Sequence, residues 1–154
     1  MTRYEKSLIT LEYEITSLVR VLEALNQRRN YPLERAHYLL LLQLRDGPLS
    51  IGELAATLLL DNSTVTRQVN AMLKRNLIEK LPNPNDGRSA LVSVTKKGRD
   101  QVETMNDLRL KRLQTTLADW SDGDKQGLAD LCNRFIQDLV AHMEKNAAPQ
   151  APEK

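Results

Sequence analysis

Cysteine is nearly absent from this 154-residue chain: Cys132 stands alone, which excludes an internal disulfide framework and a zinc site built from several thiolates. Aromatic residues make up 4% of the sequence, so any core must be assembled from Leu, Val and Ile. No apolar run approaches the length of a membrane span, and the opening Met-Thr-Arg-Tyr-Glu-Lys lacks the apolar stretch of a signal peptide. These absences predict a soluble, cytoplasmic chain with no membrane partner. His37 and His142 fall in separate segments without a cluster of His, Cys and Glu at ligand spacing, so neither metal nor cofactor is expected. Nor is there a nucleophile–base pair, a phosphate-cradling loop or a carboxylate pair at useful spacing, so no catalytic residue and no enzyme is expected. Cys132 falls between Leu131 and Phe135 on an apolar helical face, where a thiol acts as a small, inert hydrophobe rather than a sensor of oxidants.

What is present is ample for one domain. Hydrophobic residues make up 41% of the chain, which excludes disorder. The net charge is only +2, but it is unevenly spread. Between Asp61 and Arg99, eight Lys and Arg stand against three Asp and Glu, leaving that stretch at +5 and the remainder at −3. A polyanion is the partner that such a concentration suits.

Apolar residues at Leu8, Leu11, Ile15, Leu18, Leu22 and Leu25 alternate three and four apart, predicting a helix from residue 7 to about 29. Ile9, Val19 and Val21 widen its stripe. Arg28-Arg29-Asn30 closes it, and Pro32 suits the first turn of a second helix reaching Leu42. Ser50 followed by Glu53 is a capping box for a third helix, with Leu49 stapling onto Leu54 and with Ala55, Leu58 and Leu59 on its buried face. Asp61 or Asn62 caps a fourth, which leaves through Asn76 in the left-handed conformation. A hairpin follows from Leu77 to Gly98, its loop stiffened by Pro82 and Pro84, with Asp86-Gly87 allowing a turn of positive φ. Thr95 caps a long helix carrying Val102, Met105, Leu108, Leu113 and Leu117. After Ser121-Asp122-Gly123, a last helix runs from about Asp124 to Met143, its stripe including Leu128, Leu131, Phe135, Ile136 and Leu139. The tail from Asn146 has nothing to bury and is expected to fray.

Two short capped helices followed by a basic hairpin form a winged helix-turn-helix, a device for reading DNA. On the fourth helix Val65, Val69, Met72 and Leu73 lock one face inward. At about 100° per residue the opposite face presents Ser63, Thr66, Arg67, Asn70 and Lys74, with Thr64 on the flank. Hydroxyls, an amide and two cations suit phosphates and base edges in a major groove; Arg67 matches guanine O6 and N7, and Asn70 matches adenine. Arg88, near the hairpin tip, suits the narrow minor groove. Asp86 is repelled by phosphate and is expected to bond backbone amides of its own loop. The terminal stripes hold more apolar surface than a small core covers, which predicts a shared helical interface between two copies, the alternative being packing of the first helix against the last within one chain.

The segment LSIGELAATLLLDNSTVTRQVNAMLKRNLIEKLPNPNDGRSALVSVTKKGR resembles the multiple-antibiotic-resistance-repressor (MarR) family of winged-helix regulators. The resemblance spans about residues 8 to 145. It is carried by Asp86-x-Arg88 and Thr95-x-x-Gly98, and supported by Glu53-Leu54-Ala55 and Ser63-Thr64-Val65-Thr66-Arg67. It implies one mainly α domain over 1–154, with a small β-hairpin wing. A winged helix-turn-helix lobe at 33–99 would be flanked by helical dimerisation regions at 5–30 and 100–145. It also implies an obligate homodimer on a pseudo-palindromic operator in double-stranded DNA, with Arg88 in the minor groove and the helix from Ser63 as the recognition helix. Two positions depart from the family pattern: Gly87 replaces a second wing arginine, and Asn76 replaces a frequent Gly.

Family members often bind small aromatic or phenolic acids in the crevice beside the dimerisation helices. Tyr31, His37, Tyr38 and Arg45 are the residues placed near it here, although Tyr38 also suits packing and His37 a solvated position. The reading is a transcriptional repressor released by such a small molecule or another signal. The alternative is a winged-helix module that binds protein and has lost DNA.

Overall fold

The computed structural model describes residues 3–28 and 30–147. The elements in order are α1 (Arg3–Gln27), α2 (Arg35–Gln43), β1 (Leu49–Ser50), α3 (Ile51–Leu58), α4 (Asn62–Lys74), β2 (Ile78–Pro82), β3 (Ala90–Val94), α5 (Lys96–Thr116) and α6 (Asp122–Ala147). The expected closure at Arg29 and the fraying of the last residues, 148–154, lie outside the described residues. The mainly helical class and the hairpin are as expected. The chain divides into two compact units, one ending at Asn106 and one beginning at Asp107, a boundary inside α5.

The core of the first unit is mostly aliphatic, as the scarcity of aromatics requires. Leu40 and Leu41 of α2 and Leu44 at its C-cap meet Leu54 of α3 and Val65, Val69 and Met72 of α4, and Leu77, Val92 and Met105 complete the cluster. Each such side chain contributes about 1.5–3 kcal/mol through its removal from water. The sheet is antiparallel in the order β1-β3-β2, with Lys80 opposite Val92 on one side of β3 and Leu49 opposite that same residue on the other.

Local chemistry explains most element ends. The Ser50 hydroxyl accepts from the Glu53 N–H at 3.2 Å, and the Glu53 carboxylate accepts from the Ser50 N–H at 2.7 Å, completing the capping box. The backbone and hydroxyl of Ser50 hold the Glu53 carboxyl below its ordinary range. Past the C-terminal end of α4, Asn76 has φ 57°, and the Leu77 N–H reaches back to the Met72 carbonyl at 3.1 Å. Asn tolerates that left-handed geometry where Gly is more frequent.

Three local expectations are corrected, and the role of Leu49 is extended. Pro32 does not open the second helix: α2 begins at Arg35, with extended Glu34 as its N-cap, and Pro32 sits in the preceding bend. Leu49, expected as a staple, packs against the core and also belongs to β1, a third strand that pairs with β3. Leu59 does not continue the buried face of α3. It stands beyond the helix with φ 56° and is 51% exposed, while the Leu60 N–H closes the turn on the Ala55 carbonyl at 3.0 Å. The last helix starts at Asp122, because the Ser121 hydroxyl accepts from the Asp124 N–H at 3.0 Å.

Candidate nucleic-acid interface

The α4 helix is positioned by contrast between its faces. Val65, Val69 and Met72 are fully buried, whereas Ser63, Thr66, Arg67, Asn70 and Lys74 are exposed and line one shallow groove with Ala71 and Arg75. Thr64 is half-buried on the flank. Asp61, not Asn62, is the N-cap. Its Oδ1 accepts from the Ser63 hydroxyl at 2.5 Å and the Thr64 N–H at 2.7 Å, and its Oδ2 accepts from the Thr64 hydroxyl at 2.9 Å. Those donors push the Asp61 carboxyl down to about 2, the Ser63 hydroxyl contributing most.

The wing is shaped by its own side chains. Asp86 Oδ1 accepts from the Arg88 N–H at 2.9 Å, the expected loop-fixing role. Asn83 Oδ1 accepts from the Asn85 N–H at 3.0 Å, and Asn83 Nδ2 donates to Ser89 Oγ at 2.9 Å. These bonds make the turn without positive φ at Gly87, correcting that expectation. A Cβ on Gly87 would meet nothing within 4 Å. Arg88 is exposed beside this loop.

At the foot of the wing, the Thr95 hydroxyl donates to the Asn76 carbonyl at 2.7 Å and accepts from the Gly98 N–H at 3.1 Å. The Thr95 N–H donates to the Leu77 carbonyl at 3.0 Å. Gly98 lies against that same carbonyl: a Cβ there would overlap the Leu77 oxygen and stand 2.8 Å from Val94 Cγ2. The sequence motif marked Gly98 without giving this reason for it.

The eight cations between Asp61 and Arg99 separate into two sets. Arg75 donates to the Pro32 carbonyl at 3.0 Å, Lys97 to the Arg75 carbonyl at 2.9 Å and Arg99 to the Val94 carbonyl at 2.9 Å; Lys96 pairs with Asp100 at 2.8 Å. Arg67, Lys74, Lys80 and Arg88 are exposed, and none of their side chains has a hydrogen bond or ion pair among the described residues. Charge counting could not make this division, and Lys80 entered the sequence reading only through that count. Free cations on α4 and the wing are what a phosphate backbone requires.

Tyr31, His37, Tyr38 and Arg45 do not line one cavity. Tyr31 borders a hollow of about 200 Å³ with Leu33, Glu34 and Met105, whereas Arg45 borders one of about 320 Å³ with Leu41, Arg99, Val102 and Glu103. Tyr38 is packed in the core. His37 is buried rather than solvated, and its Nδ1 has no hydrogen-bond partner among the described residues. Burial holds its pKa below the usual imidazole value of 6.5; Glu34 opposes that shift, and Arg75 adds to it. Cys132, expected on a covered face, is exposed. Among the described residues no group of three metal-binding side chains occurs, and no helix is long and apolar enough to cross a membrane.

The geometry matches known proteins. The MarR family pattern matches residues 31–89. An uncharacterized HTH-type transcriptional regulator of Bacillus subtilis (strain 168), YxaD, is 38% identical over 133 residues, covering 84% of this chain and 93% of the relative. The chain belongs to the MarR family. Among solved structures, a MarR family protein from Bacillus stearothermophilus shares the fold with a TM-score of 0.76 at 22% identity, over 91% of this chain and 99% of that one. A mutant MarR from E. coli complexed with operator DNA has a TM-score of 0.61 at 26% identity, over 79% of this chain and 95% of that one. As a MarR-family protein, the chain is a winged-helix, DNA-binding transcriptional regulator.

Proposed function

We propose that this regulator is a cytoplasmic, homodimeric repressor that binds a pseudo-palindromic operator and carries no catalytic activity. In this reading α4 enters the major groove, with Ser63, Thr64, Thr66, Arg67, Asn70 and Lys74 toward the DNA. Arg88 enters the flanking minor groove, and Asp86 and Gly87 shape the wing. The observation that carries it is the freedom of Arg67, Lys74, Lys80 and Arg88 while the neighbouring cations are engaged within the chain. The likeness to a MarR complexed with operator DNA supports duplex DNA as the partner.

The homodimer is supported by apolar surface that the single chain leaves in water. Leu8, Leu11 and Leu18 of α1 are exposed, as are Leu131, Ile136 and Leu139 of α6. Exposed large apolar residues in such rows mark association surfaces. A two-fold dimer would present its recognition helices to half-sites about 34–36 Å apart. A small aromatic acid seated beside Arg45 or Tyr31 would release DNA by favouring another spacing of the recognition helices.

Titration of a labelled duplex from the gene's own upstream region, followed by anisotropy at several salt concentrations, tests the reading. Eight free cations per dimer give a slope of log affinity against log salt of about −7. A salt-independent association, or no association with any duplex, would point to the protein-binding alternative.

A further inference from the structure

Three hydroxyls open the recognition helix, and all three turn their protons inward. Ser63 Oγ lies 2.5 Å from Asp61 Oδ1, Thr64 Oγ1 lies 2.9 Å from Asp61 Oδ2, and Thr66 Oγ1 lies 2.7 Å from the Asn62 carbonyl oxygen. An ionised carboxylate and a backbone carbonyl can only accept, so each hydroxyl is the donor in its bond. A hydroxyl has one proton. Once that proton is engaged, the group offers only lone pairs to anything approaching from outside.

This limits what the start of α4 can recognise. Phosphate oxygens also accept, so Ser63 and Thr66 bond the DNA backbone only by abandoning their internal partners. Base edges in the major groove do supply matching donors, the N6 amino group of adenine and the N4 amino group of cytosine. Ser63 and Thr66 are exposed and share one groove with Arg67, Asn70 and Lys74. The helix therefore grades from acceptors at its first turn to cationic donors further along.

We propose that Asp61 is a specificity-determining positioning residue: by holding the Ser63 and Thr64 protons, it makes the first turn of α4 an acceptor face that selects amino-bearing bases. The role needs no contact of its own with the duplex. The carboxyl titrates at about 2, so the arrangement persists at every pH where duplex DNA is intact. Thr66 supplies an internal control, because its proton is held by the Asn62 carbonyl and not by Asp61. The inference rests on the DNA-binding reading and adds the chemistry of the bases read.

The test is selection from a duplex library with a randomised core, using the full-length chain and its Asp61→Gly, Ser63→Ala and Thr66→Ala variants. Gly is a tolerated N-cap, so Asp61→Gly keeps the helix start. It removes both carboxylate oxygens, which frees the Ser63 and Thr64 protons to turn outward. The Ser63→Ala and Thr66→Ala variants identify the base pairs that each hydroxyl reads. At the Ser63 position we expect adenine or cytosine to be favoured by the unsubstituted chain. Asp61→Gly should reduce or invert that preference about five- to tenfold, a loss of one hydrogen bond's worth. The preference at the Thr66 position should stay unchanged. If Asp61→Gly is poorly folded, loss of the amino-base preference in Ser63→Ala still supports an acceptor at that position, and its retention overturns the proposal. An unaltered Asp61→Gly preference, or weaker binding to all sequences alike, also overturns it while leaving DNA binding intact. A chain that enriches no sequence overturns both the proposal and the reading beneath it.

Discussion

α4 and α6 are both amphipathic helices, yet they stand in opposite relations to the rest of the chain. Val65, Val69 and Met72 of α4 have no exposed surface, while Leu131, Ile136 and Met143 of α6 keep more than half of theirs. A helix held from within is free to turn its polar side to a partner. A helix whose apolar side remains in water requires another surface to cover it. The first arrangement suits reading of a polyanion, and the second suits assembly of the proposed dimer.

The contrast can be broken most severely in the lobe that holds α4. Leu54→Ala removes a fully buried side chain from the α3–α4 contact and should cost about 2–5 kcal/mol in urea unfolding. A loss below about 1 kcal/mol would mean that α4 is not held by this core. Gly98→Ala comes next, since the new methyl meets backbone at the Leu77 carbonyl. A cost of about 1–3 kcal/mol is expected, with the Thr95 link between wing and α5 disturbed; wild-type stability would show that the close approach relaxes freely.

Leu131→Glu tests the other half of the comparison. Its side chain is 59% exposed, so circular dichroism should show helix content unchanged. Sedimentation should show the dimer dissociating. A variant that remains dimeric would remove α6 from the proposed interface.

The smallest expected effect is pH-dependent. His37 is buried with its pKa below the ordinary 6.5, so the unfolded chain binds a proton first as pH falls. Stability should therefore decline below about pH 6.5, and His37→Leu should flatten that part of the profile of Tm against pH. An unchanged profile in the variant would assign the decline to other groups.

The contrast between the two helices was only half visible in the sequence. Caps and turn ends were legible because they depend on neighbours within a few residues: Ser50 with Glu53, Asp86 with its loop, and Asn76 at a left-handed exit. What was not legible depends on distant partners. Leu49 became a strand residue because β3 passes beside it, and His37 was buried by packing that a nine-residue helix does not reveal. Periodicity carried Leu59 into the core because it does not see where α3 stops. Similarly, the charge excess between Asp61 and Arg99 was plain, but its division depended on the carbonyls of Pro32, Arg75 and Val94.

That division is tested most directly by the salt dependence of operator binding, measured by anisotropy for the unsubstituted chain, Lys74→Ala and Lys97→Ala. Lys74 is free and should contact phosphate once per protomer, so its loss should make the slope shallower by about 2 per dimer. Lys97 already donates to the Arg75 carbonyl, so its loss should leave the slope unchanged. Equal changes in the two variants would contradict the account, showing that the interface follows total charge rather than the four free cations.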